Sequence, residues 1–199
     1  MTRFYYNDYN FQEDKNYLIF FRGNFGPVTK GHYSLVEKYV HLPNVKYYIS
    51  QIGSEARHGV PYPLNRKIWK IYIHKLLPQN KIILKKANGI YDILDEIDNI
   101  DVVIYLRGNE TEEEDLKDKE KERLYKYRDL ISTLKRKGIR LDFLIIDRPE
   151  KNTLSATKFV EALKNNVSDR RLRRFVPEKL PEYDFQYIIK KLKQQKLKI

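Results

Sequence analysis

Tyr17-Leu-Ile-Phe-Phe-Arg22 is an apolar, β-rich run that passes without a break into Gly23-Asn-Phe-Gly-Pro-Val-Thr29-Lys-Gly-His32. Leu35, Val36, Tyr39 and Val40 follow at helical spacing, so the stretch reads as strand, glycine loop, helix. Such a junction aims backbone N–H groups and the positive end of a helix at one place, which suits a phosphate. Gly23 and Gly26 are expected to let the backbone come close to a ligand. The loop is not a dinucleotide fingerprint, since G-x-G-x-x-G is absent. Gly26 to Gly31 nearly imitates a P-loop, but His32 stands where the lysine belongs and Tyr33 where the magnesium-binding hydroxyl belongs.

Working outward, the same alternation continues. Val45–Ser50 is a second strand. Leu64, Ile68, Ile71, Tyr72 and Leu76 mark an amphipathic helix stopped by Pro78. Strands are expected at Lys81–Leu84, Asp101–Leu106 and Leu141–Ile146, with a short helix through Ile90–Ile97 and a long charged helix from Leu116 to Arg136. After Ser155 the chain reads as helical, interrupted near Pro177 and Pro181. Strands alternating with helices predict an α/β fold: a Rossmann-like, doubly wound, parallel five-stranded sheet with C-terminal helices. Ligands should then bind beyond the carboxyl ends of the strands. Residues 17–199 form one domain. Residues 1–16 are expected to be an N-terminal arm, whose aromatics (Phe4, Tyr5, Tyr6, Tyr9, Phe11) could pack on the body or on a neighbouring subunit in a homo-oligomer.

Composition narrows the class. In 199 residues, 41% apolar and 13% aromatic content is enough for a sizeable core, which excludes wholesale disorder. No run approaches a membrane span and no secretion signal opens the chain, so a soluble, cytoplasmic protein without a membrane partner is expected. The absence of cysteine removes disulfides and thiolate metal sites. His41, His58 and His74 have no partners at metal-ligand spacing, so no protein-built metal site is expected. The net charge of +12 favours polyanions, from small phosphorylated ligands to nucleic acid. Its excess gathers at Arg170, Arg171, Arg173, Arg174 and Lys190–Lys198, whereas residues 110–122 are mostly acidic.

The first loop resembles the signature of the nucleotidylyltransferase superfamily: a glycine, an aromatic, a proline, then [HT]-x-G-H at a helix start. Here these are Gly23, Phe25, Pro27 and Thr29-Lys30-Gly31-His32. The resemblance makes residues 17–199 a nucleotidyltransferase domain. It implies that a phosphate oxygen of one substrate attacks the α-phosphorus of a nucleoside triphosphate, and pyrophosphate leaves. Gly23, Asn24, Phe25, Gly31 and His32 would bind the nucleotide. His32 would donate to the α-phosphate, and Thr29 would orient the nucleophile. Magnesium is implied, held mainly by the nucleotide phosphates.

Further along, Leu154, Ser155, Ala156 and Thr157 resemble the superfamily's second signature, I-S-[ST]-[ST], which cradles the β- and γ-phosphates at another helix start. Ala156 replaces a hydroxyl residue there, and Val160 stands where many members carry an arginine. Lys158, or an arginine of Arg170–Arg174, could supply that charge. At the end of the fourth expected strand, Arg107-Gly108 resembles an Arg-Gly pair of phosphopantetheine-type enzymes. Gly108-Asn109 resembles a Gly-Asn pair of archaeal nicotinamide mononucleotide enzymes. Arg57 could hold the acceptor phosphate, and Arg66 loosely matches a family arginine.

Phosphopantetheine-type members tend to carry threonine where Thr29 stands and nicotinamide mononucleotide enzymes histidine, so the resemblance favours ATP with a phosphopantetheine-like acceptor. Nicotinamide mononucleotide with ATP, or a phospho-alcohol with CTP, stays open. A basic nucleic-acid-binding module on the same fold is the reading from a different class.

Overall fold

Five apolar runs supply the heart of a parallel sheet; four are buried on both faces, as parallel strands require, while the run at Ile82–Lys86 is half-buried and ends in two exposed lysines. In the computed structural model, which describes residues 2–53, 57–87, 90–109, 116–147 and 155–198, they are β2 (Tyr17–Gly23), β3 (Val45–Gln51), β4 (Ile82–Lys86), β5 (Val102–Asn109) and β6 (Arg140–Asp147). All pair in parallel, in the order β6-β5-β2-β3-β4. Along β2, Tyr17, Ile19 and Phe21 enter one apolar cluster, while Leu18 and Phe20 enter a second on the other face. Helices α1 (Lys30–Val40), α2 (Tyr62–Leu76), α5 (Ala156–Lys164) and α7 (Glu182–Lys193) supply residues to the first cluster. The second is closed by Ile93 and Ile97 and by Leu130 and Leu134 of α4 (Arg128–Arg136). The sheet is therefore doubly wound, as expected. Among the described residues no helix is long and apolar enough to cross a membrane.

The strand count differs from the expectation. A sixth strand, β1 (Phe4–Tyr6), pairs in parallel with the outer edge of β6, in the segment read from sequence as an arm. Phe4 stacks on Phe143 at 4.8 Å. Tyr9 is buried and donates its hydroxyl hydrogen to Asp142 at 2.7 Å; Arg140 donates to the same carboxylate at 2.9 Å and to the Tyr9 oxygen at 3.2 Å. The Arg3 N–H donates to the other Asp142 oxygen at 3.1 Å. Asp142 is fully buried, so these donors are what make its charge tolerable there.

The long helix expected over Leu116–Arg136 is broken at Tyr127 into α3 (Leu116–Lys126) and α4. Tyr127 leaves helical geometry (φ −107°, ψ 12°) and its ring is buried against Tyr105 and Phe143. Tertiary packing overrides helix propensity at that residue. A short helix α6 (Asp169–Leu172) separates α5 from α7.

Tyr9→Phe should lower stability by roughly 1.5–3 kcal/mol, the usual worth of a hydrogen bond to a charged group. Urea unfolding would measure it as a lower midpoint at unchanged slope, and an unchanged midpoint would mean the N-terminal segment is not anchored through Asp142.

Candidate functional site

The chain moves outward from β2 through β3 to β4, then returns to the other side of β2 as β5 and moves outward again to β6. The carboxyl ends of β2 and β5 thus flank the point where the winding reverses, where open α/β sheets bind ligands. A cleft of about 360 Å³ lies there. Its walls are Phe21–Phe25, His32, Ile52, Arg57, Tyr105, Arg107, Gly108, Lys126 and Tyr127.

His32 is held in this wall by its own helix start. Thr29 is the N-cap of α1, and its backbone N–H donates to His32 Nδ1 at 3.1 Å; Thr29 Oγ1 lies 3.2 Å from the same nitrogen. This is a capping box with histidine in the place usually taken by glutamate or glutamine. A nitrogen that accepts a hydrogen bond carries no proton, so the neutral ring bears its proton on Nε2. Phe25 presses edge-on against the imidazole at 5.2 Å and packs in turn on Phe21 and Trp69. Its φ of 48° lies in the left-handed region, which a bulky residue keeps only where packing imposes it.

The loop glycines are also required by the packing around them. A Cβ on Gly23 would stand 2.8 Å from the Phe25 ring, and one on Gly26 would stand 3.0 Å from Arg57 Cβ. Their missing side chains make room for the Phe25 ring and for the turn at Arg57.

The cleft is strongly electropositive. Arg22, Arg57, Arg107 and Lys126 line it, with no carboxylate among its described walls. Arg22 Nε is buried and has no hydrogen-bond partner among the described residues. Burial pushes the Tyr127 phenol up, and the charges of Arg107 and Arg22 oppose the shift. A second groove of about 310 Å³ shares Arg107, Gly108, Lys126 and Tyr127, and adds Lys119, Glu122 and Arg123. Burial, then the neighbouring Arg107, pulls the Arg123 guanidinium down. Such crowding of like charge is relieved by a bound anion.

The residues singled out from sequence divide accordingly. Gly23, Asn24, Phe25, His32, Arg57, Arg107 and Gly108 meet in the cleft. Asn109 ends β5 opposite Asp147, its side chain outside the described part. Gly31 lies in the first turn of α1. Thr29 is 1% exposed and turned to His32 rather than lining the cleft. Arg66 is committed elsewhere: it donates to Tyr62 and to the Leu84 carbonyl, both at 3.1 Å, and so ties α2 to β4. Ser155 caps α5 by accepting from the Lys158 N–H at 3.2 Å, and Ala156 is buried. Lys158 pairs with Glu161 at 3.3 Å. Thr157 Oγ1 lies 3.3 Å from His58 Nε2, which brings the α5 start beside the turn that carries Arg57. Leu154 lies outside the described residues.

Val160 is fully buried, so no arginine fits at that position. Arg173 is not a spare cation either, since it donates to the carbonyls of Glu178 and Leu180 and covers the Phe185 ring. Two cleft cations escaped the sequence reading. Arg22 was legible, as a charge ending an apolar strand at the ligand edge; Lys126 was one of many lysines on a charged helix.

No family model matches the chain, and no curated protein matches it. Solved structures do share its fold. The nicotinic acid mononucleotide adenylyltransferase of Plasmodium falciparum complexed with APC superposes with a TM-score of 0.58 at 16% identity, covering 89% of this chain and 96% of that one. The same enzyme complexed with NaAD gives 0.57 at 14% identity, over 88% and 96%. A Vibrio parahaemolyticus structure assigned as a nicotinate-nucleotide adenylyltransferase gives 0.55 at 12% identity, over 90% and 97%. At these identities the likeness establishes the fold, a Rossmann-like α/β sheet shared with nucleotidylyltransferases. It lends no support to a phosphopantetheine acceptor. The reason for that expectation, Thr29, also weakens, because a buried threonine reports on how His32 is held.

The four cleft cations predict affinity for polyphosphate itself. Tripolyphosphate binding, followed by calorimetry, should weaken about tenfold in Arg22→Gln, the usual loss for one charge-assisted hydrogen bond. Equal affinity in both proteins would remove Arg22 from the binding surface.

Proposed function

We propose that this chain is an adenylyltransferase that joins the AMP unit of ATP to nicotinate mononucleotide and releases pyrophosphate. The observation that carries the reading is His32, locked in its Nε2–H form at the start of α1, in a cation-lined cleft at the reversal of the sheet. The fold, common to nicotinate-nucleotide adenylyltransferases, supports it.

In this mechanism a phosphate oxygen of the mononucleotide attacks the α-phosphorus of ATP. The bond from that phosphorus to the oxygen bridging it to the β-phosphorus breaks, and pyrophosphate leaves with the electron pair. The nucleophile is already anionic, so no general base is needed, in keeping with a cleft whose described walls hold no carboxylate. What remains is in-line positioning and neutralisation of charge on the non-bridging oxygens. His32 donates its Nε2–H to an α-phosphate oxygen, and Thr29 keeps the ring in place from behind. Arg57 and Arg107 hold the mononucleotide phosphate. The amide end of α5, with Ser155, Ala156 and Thr157, takes the β- and γ-phosphates, and Lys158 can swing from Glu161 toward them. Among the described residues no three His, Asp or Glu side chains gather to hold a metal. Magnesium on the triphosphate, with water completing its shell, would supply further charge neutralisation.

Pyrophosphate release from ATP should be fastest with nicotinate mononucleotide in a panel that includes nicotinamide mononucleotide and phosphopantetheine. Absence of release with every acceptor would end the enzyme reading. His32→Ala should lower turnover by about two to three orders of magnitude, as loss of one transition-state donor does; turnover within threefold of the parent would remove the role. Arg107→Lys should raise the Michaelis constant for the mononucleotide and leave that for ATP nearly unchanged, because lysine cannot reproduce a two-pronged grip on phosphate.

A further inference from the structure

The turn that carries Arg57 into the cleft is gripped by the end of the chain. The Lys198 N–H donates to the His58 carbonyl at 2.9 Å, and His58 Nδ1 lies 3.2 Å from the Lys198 carbonyl oxygen. A carbonyl only accepts, so the proton of this ring is on Nδ1. Its Nε2 is then an acceptor, and the Thr157 hydroxyl, 3.3 Å away, donates to it. One imidazole thus joins three segments: the chain end, the start of α5 and the turn at the cleft.

Two backbone features fit this grip. His58 and Gly59 both adopt left-handed φ, 54° and 76°. A Cβ on Gly59 would stand 2.1 Å from the Lys196 carbonyl oxygen, so the chain end lies directly against the turn. Leu197 anchors the same stretch by packing on the main apolar cluster. A left-handed φ is uncommon outside glycine even though histidine tolerates it better than most residues, and here residues far away in sequence hold it in place.

We propose that residues 195–198 are a strap that sets the acceptor side of the cleft, with His58 as the positioning residue that passes the constraint to Arg57. The identity of the acceptor rests on the adenylyl-transfer reading above; the strap itself does not. His32 is held separately, by Thr29 and Phe25. Loosening the strap should therefore weaken anion binding at Arg57 while leaving turnover at saturation intact. A merely structural role would not split the two in this way.

Three variants test it. Gly59→Ala pushes the chain end off the turn, His58→Ala removes both ring bonds, and His58→Asn keeps a donor where Nδ1 was and tolerates the left-handed φ. The first two should raise the Michaelis constant for nicotinate mononucleotide about tenfold, the loss expected for one arginine–phosphate contact, with turnover within about twofold; His58→Asn should recover much of the loss. The chain has no cysteine, so Lys198→Cys takes a single nitroxide label. Its spectrum should be that of an immobilised label with the native turn, become fast-tumbling with Gly59→Ala or His58→Ala, and slow again with His58→Asn.

A fast-tumbling label beside the native turn would overturn the proposal. So would release of the label without any change in the Michaelis constant. If no acceptor yields pyrophosphate, the functional reading fails, and tripolyphosphate affinity takes the place of the Michaelis constant. A label released together with a weaker tripolyphosphate affinity would then uphold the strap, and release without weakening would reject it.

Discussion

Strand β2 is hydrogen-bonded on both edges, to β3 and to β5, and each of its faces is sealed by a separate apolar cluster. That double burial leaves the strand one outlet, its carboxyl end, where Gly23 opens the loop to α1. The neighbouring β5 ends at the same edge after the winding has reversed, so the connecting helices lie on opposite faces and leave the seam open. Arg107 meets Arg22 and His32 because of this arrangement, although it is far from both along the chain.

Two imidazoles illustrate how the backbone sets side-chain chemistry. His32 faces an N–H and must accept through Nδ1; His58 faces a carbonyl and must donate through the same atom. The first therefore has its donor on Nε2, as the proposed contact with the α-phosphate needs. The second has an acceptor there, as a group bonding a threonine hydroxyl needs. Residue type alone does not distinguish them.

Like charges converge in the cleft at a cost to the unliganded protein. Burial, with Arg107 beside it, lowers the affinity of Arg123 for its proton, and Arg22 keeps a buried Nε–H with no partner among the described residues. A structure optimised for stability alone would pair or expose these groups. Retaining them suits the polyanionic substrate proposed for this cleft, and it gives the net charge of +12 a local expression that composition does not show.

The sequence by itself determined the five longer strands, their alternation with helices, and the strand–loop–helix unit ending at His32. Each of these rests on local periodicity or on contiguous spacing, which are written along the chain. It also determined that Arg107 stands at the end of a strand and that Arg57 follows one, at the edge where a doubly wound sheet exposes its residues. Only the tertiary structure decided the rest. A three-residue strand such as β1 has no period to read, and it exists because β6 offers an unpaired edge and Asp142 needs donors. The break at Tyr127 comes from a ring drawn toward Tyr105, against the helical pattern of its neighbours. Arg66 and Arg57 look alike as letters, yet one is bound by the Leu84 carbonyl and the other lines the cleft. Partners so distant in sequence leave no periodic trace, because which groups meet is set by how the helices pack on the sheet.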